Sequence, residues 1–233
     1  MSRYYQSSNK LPLGGALLTL LGGLLAGAVL ALLYVYATWY IPLIYFNFCF
    51  TVLLGGAVGW VVYGLARRGH LRSTGGATGL ALLVALATVY VQWAAYLTLM
   101  AGVAEGSTDT SFDADIFLGL LLSPAHMWQM LHIINDTGSW SVLGVTPSGV
   151  FLWLIWLAEA LIIVLVALTF GADAIGHPYS ETTRSWATEA KLPQLLAPQP
   201  DLEATRAALE AGRFAEVLQP AAADEAAPGE FWQ

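Results

Sequence analysis

From residue 73 to residue 183 the sequence contains neither lysine nor arginine. All nine basic residues lie outside that stretch: Arg3, Lys10, Arg67, Arg68 and Arg72 precede it, and Arg184, Lys191, Arg206 and Arg213 follow it. Charge of either sign is scarce, at 11% of residues, where soluble domains carry roughly 25%. A soluble fold of this size has too little polar surface to cover the rest. No basic face exists on which nucleic acid would bind. The single cysteine, Cys49, sits in an apolar run, which rules out a disulfide framework or a cysteine zinc cluster within one chain. Phosphate-loop, nucleophile-elbow and zinc-protease patterns are missing. The residues therefore call for no cofactor and give no sign of an enzyme.

What is present is apolar: hydrophobic residues make up 57% of the chain. A helix crossing about 30 Å of hydrocarbon needs about 20 apolar residues, and four segments meet that need, at about 13–36, 43–66, 77–101 and 149–171. The expected fold is all-α, a four-helix transmembrane bundle over residues 1–171 lying in a lipid bilayer. The first run is too long for a typical cleaved signal sequence and reads as a retained helix. Loops that stay in the cytoplasm collect Lys and Arg. The basic string at 67–72 then marks an inner loop, and the acidic loop at 102–148 an outer one. Both termini are expected in the cytoplasm. Trp39, Tyr40 and Pro42 form a very short outer link, flanked by Tyr34, Tyr36 and Tyr45, as aromatic rings prefer the headgroup zone.

Small residues recur every four positions on the first span (Gly15, Thr19, Gly23, Gly27, Ala31) and on the second (Asn47, Thr51, Gly55, Gly59). That interval lets helix backbones approach closely in lipid. It predicts that these two helices pack on one another, or that they form a homodimer seam. In the outer loop, 116–122 is apolar and Ser123-Pro124 has the chemistry of a helix start. A short amphipathic helix at 125–135 follows, with Met127, Met130, Leu131 and Ile134 as its apolar positions. Too short to span, it is expected to lie at the outer interface or to dip in and return. The segment 172–233 is a polar, proline-punctuated cytoplasmic tail with one short helical hairpin at about 201–219. That hairpin resembles a tetratricopeptide-type turn, although a single unit cannot bury its own face.

Glu159 is the strongest chemical candidate. It falls mid-way along the fourth span, where an ionised acid costs roughly 2.5–3.5 kcal/mol. No Lys or Arg lies within any span to pair with it. It is expected to be protonated and hydrogen-bonded to Gln92 or Tyr90, which reach a similar depth on the third span, or to backbone. It is expected to serve as a polar clamp between helices, as a proton or cation site, or as a contact with a partner membrane protein. His132 and Asp136, four apart, share a helix face and are weak metal candidates without a third ligand; His126 points to a different face. Glu105, Asp109, Asp113 and Asp115 read as a solvated outer surface. His177 and Glu181 form no catalytic arrangement.

Several strings carry a resemblance: Tyr4-Tyr5 with Ser8, the run Lys10-Leu11-Pro12-Leu13-Gly14-Gly15, and the aromatic segment 34–42. Gly138-Ser139-Trp140, Trp156-Leu157-Ala158-Glu159-Ala160 and Pro178-Tyr179-Ser180-Glu181 continue it. Over about the first 190 residues the chain resembles a group of uncharacterised four-span bacterial inner-membrane proteins with no assigned activity. The resemblance implies a topology, a bacterial inner-membrane location and no function. It also implies a cysteine pair where this chain has Ser180 and Thr183, so any metal knuckle there is lost, and a longer soluble part at the C-terminus. The sequence supports first a scaffold or accessory subunit of a membrane assembly, docking a protein partner through its tail and helix faces. A small transporter or channel component using Glu159 comes second, and an intramembrane enzyme third.

Overall fold

A computed structural model describes residues 8–41, 44–104, 112–138, 144, 146–173, 178–180, 183, 185–187 and 201–218. Pro42, Glu105, Asp109, Trp140, His177, Glu181 and the prolines at 193, 198, 200, 220 and 228 lie outside them, as does the side chain of Tyr45. Among the described residues four helices are long and apolar enough to cross a membrane: α1 (Leu13–Tyr40), α2 (Ile44–Arg68), α3 (Thr74–Ala104) and, later in the chain, Gly149–Asp173. Between α3 and that last span come α4 (Ala114–Leu122) and α5 (Pro124–Thr137), so the last span is α6. The spans form a ring in which α1 lies beside α2 and α3, and α6 also lies beside α2 and α3. Helices α1 and α6 thus occupy opposite corners. The end of the bundle bearing the α1–α2 turn is here the hairpin side, and the end bearing the α2–α3 loop the arginine side.

The small-residue stripes are used, but not against each other. Gly15, Thr19, Gly23, Gly27 and Ala31 are all buried. A Cβ on Gly23 would come within 2.8 Å of Val84, and one on Gly27 would strike the Thr88 hydroxyl, both on α3. Gly15 faces the backbone of Gly69. On α2, Gly55 lies against the Ile163 carbonyl at 2.7 Å from its Cβ position, and Gly59 against Ala167 and Phe170, all on α6. Helices α1 and α2 do pack on one another, as expected, but through other faces, with Gly22 against Leu65; only the expectation that the two stripes face each other is corrected. A flat stripe makes room for bulky or branched neighbours, and the helices that supply them here are α3 and α6. All five seam glycines are taken up inside one chain.

On the hairpin side, α4 and α5 meet at a bend of 106°. The Asp113 carboxylate accepts hydrogen bonds from the backbone amides of Asp115 and Ile116 and starts α4; the Ser123 hydroxyl accepts from the amide of His126 and starts α5. Breaking a helix orphans its last carbonyls. Here the Tyr90 hydroxyl, about half-way along α3, donates to the carbonyls of Leu120 and Leu121 at 3.2 and 3.1 Å. Leu120, Met127 and Leu131 pack with Ala94, Leu97, Leu152 and Trp156. The pair therefore dips along α3 and returns along α6, where the Asn135 amide donates to the Gly149 carbonyl.

On the arginine side, a two-residue ladder joins β1 (Tyr179–Ser180) to β2 (Ser185–Trp186). Trp186 donates its indole N–H to the Arg67 carbonyl at 3.0 Å, and the Arg67 guanidinium lies over the rings of both Tyr63 and Trp186. Arg72 lies over Tyr179. The chain leaving α6 is thus held on the basic loop by cation–π contacts. This compact unit runs to Ala187. A separate unit from Thr188 holds α7 (Leu202–Glu210) and α8 (Phe214–Val217), with Asp201 capping α7 and Gly212 at φ 73° turning between them.

Candidate functional site

From Gly149 to Leu168 helix α6 is apolar except where Glu159 interrupts it. The Glu159 carboxylate accepts a hydrogen bond from the Tyr34 hydroxyl at 2.5 Å. Because α1 and α6 are at opposite corners, this bond crosses the interior of the bundle. The Tyr34 oxygen also lies 3.2 Å from the Thr51 hydroxyl on α2. Thr51 donates in turn to the Asn47 carbonyl, one helical turn toward the hairpin side, at 2.8 Å. Tyr34 and Thr51 are 7% and 3% exposed. One helix face of α2 therefore carries Asn47 and Thr51 toward the carboxyl, and the reach of a tyrosine closes the remaining gap from α1.

The surroundings of this chain of oxygens are apolar. Toward the arginine side Tyr34 shares one packed cluster with Val58, Val62, Val84, Ala85, Ile163 and Ala167, each no more than 1% exposed. Between α1 and α2 a groove of about 210 Å³ is lined by Leu30, Leu33, Tyr34, Ala37, Phe50, Leu53, Leu54 and Ala57. One side of the tyrosine thus meets this apolar groove while its hydroxyl turns to the acid. The Asn47 side-chain oxygen is buried and accepts no hydrogen bond from any described residue.

The partner of Glu159 differs from the expected ones. Tyr90 spends its hydroxyl on the broken helix instead. Gln92 is 5% exposed and lies on the α3 face that carries Thr88, Ala95 and Leu99, with no hydrogen bond to Glu159. Sequence reading placed Tyr34 in the headgroup belt and so missed it. Counting depth from the hairpin end was the signal available: Tyr34 is six residues before Tyr40, Thr51 seven after Ile44, and Glu159 ten after Gly149.

His132 packs its ring against Trp128 and Trp153, at 4.7 and 5.3 Å between centroids. Asp136 is exposed. Among the described residues no three His, Cys, Asp or Glu side chains gather as metal ligands. Trp153 and Trp156 continue to Trp93, so the hairpin-side half of the bundle holds a run of edge-packed indoles. Compared with protein families, with curated proteins and with solved structures, the chain gives no match.

Proposed function

We propose that this multi-pass membrane protein is a small transporter or channel component in which Glu159 takes up and releases a proton. The observation that supports it is the two-way character of the Tyr34–Glu159 pair. A hydroxyl both donates and accepts. With Glu159 ionised, Tyr34 donates to it; with Glu159 protonated, the acid donates to Tyr34, whose own proton turns to Thr51. The same oxygen positions satisfy both states, so gaining or losing the proton strands no polar group. A clamp needs only one of them. The reading includes an orientation with the arginine side and both termini in the cytoplasm, supported by the cluster of Arg67, Arg68 and Arg72. The bacterial inner membrane is the location that the resemblance implies.

The test is ion flux in proteoliposomes under imposed pH and salt gradients. Wild-type protein is expected to pass ions above the protein-free background, and Glu159→Gln to lose that flux while remaining folded. Folded wild-type protein with no flux under any gradient would sink the reading.

The accessory-subunit reading has its own support. Among the described residues of the C-terminal unit Leu202, Leu209, Phe214 and Leu218 are exposed while only Ala208 and Val217 are buried, the state of a helical pair awaiting a neighbour. Native mass spectrometry of the full chain from its own membrane is expected to show a stoichiometric protein partner that a chain ending at Ala187 loses. A full-length chain carrying no partner would remove that support.

A further inference from the structure

We propose that Asn47, Thr51 and Tyr34 form a proton relay that connects Glu159 to the hairpin side of the membrane and to no other side. This rests on the reading of Glu159 as a proton-exchanging group and adds its route. Four observations carry it. Tyr34 lies between Glu159 and Thr51, at 2.5 and 3.2 Å. Thr51 is one turn from Asn47 on the same helix face and donates to its backbone carbonyl. The Asn47 side-chain oxygen is a buried acceptor with no donor among the described residues, and a buried polar group left so calls for water or another donor. In the opposite direction Tyr34 meets the packed cluster of Val58, Val62, Val84, Ala85, Ile163 and Ala167, and the buried hydroxyls of Thr88 and Thr19 on that side are each bonded to a carbonyl of their own helix.

The transfer balances. Water held at the Asn47 side-chain oxygen brings a proton to the Thr51 oxygen. Thr51 passes its own hydroxyl proton to the Tyr34 oxygen, and Tyr34 passes its own to Glu159. Each hydroxyl oxygen takes one proton and gives one, and the net result is one proton moved from water to the carboxylate. The other titratable groups on the packed helices are engaged elsewhere. Tyr36 stacks on Tyr40, Tyr63 accepts from Arg67, Tyr90 donates to α4, Tyr96 packs on Trp93, His132 packs on Trp128, and Cys49, Asp113, Asp115, His126 and Asp136 are exposed.

The experiment is infrared hydrogen–deuterium exchange of the purified full chain in detergent. The Glu159 acid band is first identified as the one missing from Glu159→Gln. Thr51→Val, which keeps the shape and removes the hydroxyl, is expected to slow its exchange at least about a hundredfold, the low end of what a positioned proton donor supplies. Thr51→Ser is expected to restore it, and Asn47→Leu to slow it as well. A merely structural role would leave the exchange rate of folded Thr51→Val unchanged, and that result overturns the relay. If the valine variant fails to fold, Asn47→Leu decides, with unchanged exchange again the overturning result. Proteoliposome flux separates the two claims. Flux lost in Glu159→Gln together with unslowed exchange in Thr51→Val and Asn47→Leu refutes the relay and leaves the transport reading standing. Slowed exchange without flux supports the relay and refutes transport.

Discussion

At the residue scale, one hydroxyl decides whether a carboxyl can sit in this bundle. Deleting one partner of a buried hydrogen bond strands the other, at a cost of about 1–3 kcal/mol. Tyr34→Phe keeps the ring that lines the α1–α2 groove and removes only the donor to Glu159. It is expected to lower stability by that amount in detergent unfolding. Adding Glu159→Leu should then recover most of the loss, since apolar groups replacing both partners leave nothing stranded. A double variant no more stable than Tyr34→Phe alone would mean that Glu159 has other partners. Glu159 itself was legible because an acid in an apolar run is rare and costly. Tyr34 was not, because tyrosine near a helix end suits both a headgroup and a buried acid, and sequence alone does not say which helix lies opposite.

At the scale of the element, span existence was legible and span contact was not. The expected limits of 13–36, 43–66, 77–101 and 149–171 fall inside or within a residue of the observed Leu13–Tyr40, Ile44–Arg68, Thr74–Ala104 and Gly149–Asp173. Hydropathy sees only the apolar part, and backbone hydrogen bonding carries the helix on through the interface. The partners of each helix were hidden because lipid and bundle interior are equally apolar, so apolar periodicity does not separate them. The small stripes on α1 and α2 marked close packing correctly in kind, while the neighbours proved to be α3 and α6. That pairing makes adjacent glycines unequal. Gly55→Ala puts a methyl 2.7 Å from the Ile163 carbonyl, which is backbone and cannot turn aside. It should cost about 1–3 kcal/mol, as overpacked sites do. Gly56→Ala meets nothing nearer than 4.0 Å and should be neutral or gain up to about 1 kcal/mol from helix propensity. Equal stabilities would contradict the α2–α6 seam. The dip of α4 and α5 depends likewise on Tyr90. Tyr90→Phe leaves the Leu120 and Leu121 carbonyls without their donor and should speed amide exchange across 114–137 selectively. Uniform or unchanged exchange would show that another group holds the bend.

At the scale of the whole molecule, the lysine- and arginine-free stretch foretold two ends of unlike charge, and the bundle separates them. Arg67, Arg68 and Arg72 stand at one end and Asp113 and Asp115 belong to the loop at the other. In a Cys49→Ser background, single cysteines at Arg68 and Asp115, both exposed, should react with an impermeant maleimide from opposite faces of the membrane. Labelling of both from the same face would overturn the topology. Within that frame the carboxyl of Glu159 is either a fixed clamp or a group that changes state, and the infrared difference spectrum between high and low pH distinguishes them directly. Exchange predicts an acid band that converts reversibly to a carboxylate band in the folded protein, with both absent from Glu159→Gln. A Glu159 acid band that stays unchanged over the whole pH range in which the protein remains folded would contradict the account and leave a clamp.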